Sequence, residues 1–140
     1  MTFPPLPATL SSCFRQAASR GLCGKCPRCG QASLFRSWLK PVDRCPACGQ
    51  DWSLQRADDF PAYVSIFVTG HLIAPLIIAL ALDYQLSAAA NAAIVLPVAL
   101  ALTLGTLRPA KGAIIAIQWW NGLHGFTRER PLASDDPGLP

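Results

Sequence analysis

Residues 60–107 read FPAYVSIFVTGHLIAPLIIALAL, then DYQLS, then AAANAAIVLPVALALTLGTL. No charged residue occurs in the 23 residues 60–82 or in the 24 residues 84–107. At 1.5 Å per residue, a helix of either length exceeds the roughly 30 Å hydrocarbon core of a bilayer. The pattern predicts two transmembrane helices, Tyr63–Leu82 and Ala88–Leu107. A pair of buried soluble helices fits poorly, because 140 residues cannot cover two such helices on all sides. The link Asp83–Ser87 is short, so the helices form an antiparallel hairpin. It contains no Lys or Arg, whereas residues 1–62 contain eight and residues 108–140 contain four. The positive-inside rule then places both termini in the cytoplasm. Residues 1–20 lack a long apolar core, so no cleavable signal peptide is expected.

Several residues within the apolar runs stand out. Pro75 and Pro97 fall mid-helix and remove backbone donors, which a membrane helix tolerates where neighbours re-satisfy the freed carbonyls. Ala89/Ala93 and Ala101/Gly105 are small residues at a spacing of four, which allows close helix packing. Asn91 and Thr103 read as interhelical hydrogen bonders. His71 is the one ionisable residue deep in the first run, and such a residue is a functional candidate. Metal or haem ligation, proton relay and a hydrogen bond to another helix are its candidate roles. A neutral ring bonded to a carbonyl of the second helix is the bland alternative.

Outside the hairpin the composition changes. The chain is 51% hydrophobic and 14% charged, with 13 prolines, most of them outside the apolar runs. That charge content is low for a soluble domain, where about 25% is usual, so the chain has to be read in pieces. The net charge of +4 suits an anionic membrane face or nucleic acid and does not separate them.

Six cysteines fall before the hairpin, at 13, 23, 26, 29, 45 and 48. Cys26-Pro-Arg-Cys-Gly30 and Cys45-Pro-Ala-Cys-Gly49 share one local pattern, with fifteen residues between them. This C-x2-C-x15-C-x2-C spacing suits a zinc site. Two-residue gaps let one tight turn aim both thiolates at an ion, and the following glycine can take positive φ. Four thiolates close a tetrahedral shell with no position for water, so Cys26, Cys29, Cys45 and Cys48 predict a structural site with one zinc per chain. The apolar residues available between Cys23 and Phe60 are few: Leu34, Phe35, Trp38, Leu39, Val42, Trp52 and Leu54. So short a segment needs a metal to offset its chain entropy. Short strands around 32–39 and 50–55 would complete a zinc ribbon.

Other readings of the cysteines stay open. Cys23, Cys26 and Cys29 resemble part of an iron–sulfur run, but its fourth position is Ser33. A dithiol redox motif lacks the βαβ setting it normally has. Thiolates also take Cu(I). Cys23 is then a fifth thiol, either a bystander or an exchangeable ligand, and Cys13 is incidental.

Asp58-Asp59-Phe60-Pro61 leads into the first long helix. It reads either as an N-cap with proline in the first turn, or as a carboxylate pair for a metal, a proton or a partner's arginine. After Arg108-Pro109, Lys111, Gln118 and Asn121 share one helical face, opposite Ala113, Ile114, Ile117 and Trp120. This predicts an amphipathic helix over 108–126 lying in the membrane interface, anchored by Trp119 and Trp120. The expected organisation is thus a disordered tail to residue 22, a zinc-ribbon head at 23–60, an all-α two-helix membrane hairpin at 61–107, the interfacial helix at 108–126, and a disordered tail at 127–140.

Taken in order, Gly21-Leu22, CPRCG at 26–30, Leu34-Phe35, CPACG at 45–49, Asp58-Asp59-x-Pro61-Ala62, Gly70-His71, Leu107-Arg108-Pro109-x-Lys111-Gly112 and Gln118 resemble the bacterial family catalogued as domain of unknown function 983. The resemblance spans residues 21–126. It implies a small inner-membrane protein with a zinc-ribbon-like head, of a kind often encoded beside haem–copper cytochrome oxidase subunits and assembly factors. Cys23 departs from the family pattern, where a basic residue is usual.

No Ser/His/Asp set, phosphate loop or open metal shell is present, so the sequence does not read as an enzyme. The first expectation is an interaction or assembly protein for a respiratory oxidase, in which Asp58, Asp59 and His71 orient the contact and self-association is open. The alternative is copper or thiol handling through the ribbon. A nucleic-acid-binding ribbon is third: residues 23–56 hold six basic and two acidic residues, a weak footprint.

Overall fold

The structure, a computed structural model, describes residues 10–127. Three helices organise the chain: α1 (Phe14–Leu22), α2 (Phe60–Leu82) and α3 (Ala88–Trp120), followed by a 3-10 turn at Leu123–Gly125. Both α2 and α3 are long and apolar enough to cross a membrane. In their most apolar stretches only 17% of α2 and 6% of α3 is buried within the chain, too little for the core helices of a soluble domain. Ser65, Thr69 and Ile73 of α2 are its buried residues beyond the first turn. Thr103 Oγ1 lies 3.2 Å from Thr69 Oγ1 across the hairpin, as expected for Thr103. Asn91 departs from expectation: its Oδ1 is buried without a hydrogen-bond partner.

Helix α3 differs most from the sequence reading. It does not stop near Leu107 to resume as an interfacial helix. It runs 33 residues, about 50 Å, straight through Pro97 and Pro109. The missing N–H of Pro109 leaves the Gly105 carbonyl without its usual donor, yet the helix continues because its last three turns are packed on both sides. Ala110, Gly112, Ile114, Ile115, Ala116, Gln118 and Trp119 are all buried. The face assignment also changes. Gln118, placed on the polar face by spacing, is buried, whereas Ile117 is exposed.

Residues 14–22, expected as tail, form α1, which packs along the C-terminal part of α3. The contact depends on two glycines 91 positions apart. A Cβ on Gly21 would overlap the backbone of Gly112, and one on Gly112 would overlap that of Gly21. Further along, Phe14 meets Trp120 with ring centroids 6.2 Å apart. The expected tail at 127–140 lies outside the described residues, apart from Thr127.

The head between α1 and α2 contains no sheet among the described residues. The expected strands at 32–39 and 50–55 are reduced to isolated antiparallel bridges, Lys25 with Ser33, Phe35 with Pro41 and Arg44 with Asp51. Pro41 has no N–H to extend its bridge into a ladder. The head instead packs on α3. Trp52, fully buried, meets Trp119 at 6.1 Å and Phe126 at 5.8 Å. Leu34 and Phe35 join the same cluster, but Trp38 and Leu54, expected in the core, are exposed.

Candidate metal centre

Each cysteine pair sits on a tight turn closed by its glycine. Gly30 N–H donates to the Cys26 carbonyl at 2.8 Å and Gly49 N–H to the Cys45 carbonyl at 2.9 Å. Both glycines adopt positive φ, +69° and +72°, where a side chain would be strained. The turns bring the Sγ atoms of Cys26, Cys29, Cys45 and Cys48 within 4.8 Å of one another. Cys26 lies 3.8 Å from Cys48, and Cys29 lies 3.8 Å from Cys45. A tetrahedral ion with metal–sulfur bonds of about 2.3 Å requires sulfur separations of about 3.8 Å. The four thiols therefore fit a metal ion with little movement.

The electrostatics fit as well. The pKa of the Cys26 thiol is pushed up, first by its hydrogen bond to Cys48 and then by burial. The same hydrogen bond lowers the pKa of Cys48, and the Gln50 N–H facing that sulfur lowers it further. Burial raises Cys45, opposed by the backbone N–H groups of Cys48 and Ala47. A metal ion held by these four sulfurs would replace the thiol protons, and the same N–H groups would then face thiolates.

Residues outside the motif hold the turns in place. Arg28, between the first two cysteines and 8% exposed, donates from Nη1 to the Cys48 carbonyl at 3.1 Å. It thereby links the two turns. Ser11 N–H and Arg20 Nη1 both donate to the Arg28 carbonyl, at 3.0 and 3.1 Å, and Ser11 Oγ donates to the Pro27 carbonyl. The segment read as a tail is thus part of the site's scaffold. Arg108 of α3 lies over the Phe35 ring, 5.3 Å from its centroid. Gln118 clamps the chain after the second turn: its Oε1 accepts from Arg56 N–H at 3.0 Å, and its Nε2 donates to the Arg56 carbonyl at 2.7 Å. No spacing rule points to Ser11, Arg20 or Arg28, because each acts on carbonyls brought close only by the turn.

The remaining candidates lie elsewhere. Cys23 is exposed at the end of α1 and Cys13 is exposed at its start, and neither belongs to the cluster. Asp59 occupies the N-cap of α2 without a side-chain capping bond, with Pro61 in the first turn; both Asp58 and Asp59 are exposed. His71 is exposed on α2, and its Nδ1 meets the Phe67 carbonyl of its own helix at 2.8 Å, not a carbonyl of α3. Trp119, expected as an interface anchor, is 4% exposed and belongs to the head core, where Trp52 covers it. Trp120 is half-buried against Phe14.

Residues 35–119 match the family described as "Protein of unknown function (DUF983)". The chain belongs to this family. The DUF983 match spans more than half of the chain and is narrower than the resemblance over 21–126. It includes Cys45, Cys48 and His71 but begins after Cys26 and Cys29, and it omits α1. No curated protein and no solved structure matches the chain.

Proposed function

We propose that this DUF983 protein is an integral inner-membrane accessory protein, an interaction or assembly factor for a respiratory haem–copper oxidase, with a structural zinc in its head. The observation that carries the reading is the mounting of the cysteine cluster on α3. One continuous helix carries both the apolar span and the surface against which the head packs. Metal binding would therefore fix the shape of a small polar surface relative to the hairpin. A closed set of four thiols suits a structural ion rather than a hydrolytic one. Zinc is the first choice because of its tetrahedral thiolate chemistry and the reduced thiols of the cytoplasm. The positive-inside pattern supports a cytoplasmic head. The oxidase follows from the genomic setting that the family resemblance implies.

Copper or thiol handling is less well supported. Cys26, Cys29 and Cys45 are buried, and the two exposed thiols lie outside the cluster. The experiment is gentle extraction of the full-length, C-terminally tagged protein from native membranes, with partner identification and metal analysis on one sample. Oxidase subunits or assembly factors with about one zinc per chain are expected. A protein that emerges alone with copper or oxidised thiols contradicts the reading.

A further inference from the structure

His71 is the central residue of α2, eleven residues from Phe60 and from Leu82. In a helix that crosses a bilayer this is about 16 Å from each end, near the midplane. The residue is exposed, and it lies away from the side on which Ser65, Thr69 and Ile73 are buried. Its Nδ1 meets the Phe67 carbonyl at 2.8 Å. A carbonyl only accepts, so Nδ1 donates, and the Nδ1–H tautomer leaves Nε2 as an acceptor. The ring packs on Phe67 with centroids 4.1 Å apart, which fixes its direction. Pro75, four residues on, has no N–H for the His71 carbonyl. The exposed ring nitrogen is thus an acceptor on the open face of the helix, and the His71 carbonyl, pointing toward Pro75, lacks its usual helical donor. Beside them is a shallow groove lined by Ile66, Phe67, Gly70, His71 and Ala74, where Gly70 leaves open space.

Hydrocarbon offers such acceptors nothing, and leaving them unpaired is costly. A second copy of this chain does not supply what is missing. Two copies inserted in the same direction about a twofold axis would set His71 against His71, acceptor facing acceptor. The hydroxyls near this depth do not reach the groove: Thr103 is engaged with Thr69 and the Ala99 carbonyl, Thr106 with the Leu102 carbonyl, and Ser65, without a partner, is fully buried inside the hairpin.

We propose that the Gly70–His71–Ala74 groove is the docking site for a transmembrane helix of a different protein, one that brings a hydroxyl, amide or indole N–H donor to the bilayer midplane. The proposal rests on the membrane reading of the hairpin but not on the partner being an oxidase.

The test places a photo-crosslinking phenylalanine analogue at Ile66, in the groove, and separately at Leu100, on the exposed side of α3. Both are made in the full-length protein in native membranes. The Ile66 position should give one heteromeric adduct, mapped to a helix with Ser, Thr, Asn, Gln, Tyr or Trp at the crosslinked level. Leu100 should give none. Loss of one membrane hydrogen bond should lower the yield about fivefold in His71→Leu. His71→Gln keeps an acceptor near the Nε2 position and should restore it. Metal content unchanged in His71→Leu shows that the head is intact. Adducts only between two copies, only to lipid or to a haem, or insensitive to His71→Leu, overturn the proposal. A His71-dependent adduct with a protein unrelated to oxidases keeps this inference and overturns the oxidase reading. A His71-insensitive adduct with an oxidase subunit does the reverse.

Discussion

In the head, Trp52, Leu34 and Cys26 are completely buried, as is Ile115 of α3 in the same core. In α2, Ile73 is the one large aliphatic side chain that is buried, while Ile66, Phe67, Leu72 and Ile78 are each more than half exposed. The two regions satisfy their apolar residues in different ways. The head collects a small core on the last turns of α3 and closes it with four thiols. The hairpin leaves its apolar surface outward, which suits lipid and not water. The head should therefore fail when its chemistry is removed, whereas the hairpin should tolerate single changes as long as it stays apolar.

The largest effect is expected from the cysteines. Cys45→Ser should remove the metal, because structural thiolate sites contribute on the order of 10 kcal/mol to the folding of small domains. Amide exchange should accelerate throughout residues 24–56 while α2 and the first half of α3 stay protected. Loss of protection in both regions at once would break the separation. Trp119→Ala should come next, at about 3–5 kcal/mol, since it opens a cavity beneath Trp52. Trp120→Ala, at a half-buried position, should cost clearly less in the same thermal unfolding experiment. Equal costs would return Trp119 to the membrane interface. Gly112→Val should destabilise the head by about 1–3 kcal/mol by driving α1 off α3, read as faster proteolysis within residues 10–22. The smallest effect is Thr103→Val, which removes one hydrogen bond between the two apolar helices and should cost about 0.6 kcal/mol in a detergent unfolding series. A much larger loss would mean that the hairpin also depends on specific polar contacts.

The sequence showed most in the places where one local rule decides. Two charge-free runs joined by five residues predict the helical hairpin from length alone. Two Cys-x2-Cys-Gly turns predict that four sulfurs converge, because each turn is set by its own glycine. What stayed hidden depends on distant residues. Pro109 reads as a break, and only the packing of α1 and Trp52 on the following turns keeps α3 continuous. Trp119 and Trp120 are neighbours of the same type, and nothing local says that one enters the core and the other meets Phe14. Gly21 and Gly112 were visible as family positions, but their mutual contact appears only when α1 is seen against α3. Ser11 and Arg20 read as tail residues in the sequence because their partners are carbonyls of the first cysteine turn. The expected ribbon strands remain isolated bridges for a related reason. The head is organised by its turns and by α3, and it needs no ladder.

The central claim is that Cys26, Cys29, Cys45 and Cys48 hold one metal ion in a closed shell that organises the head. X-ray absorption at the zinc edge tests it most directly, on full-length protein purified from native membranes without added metal. The account predicts one zinc per chain with four sulfur neighbours at about 2.3 Å and no nitrogen or oxygen. A shell with fewer sulfurs, a different metal, or cysteines paired as disulfides would contradict it.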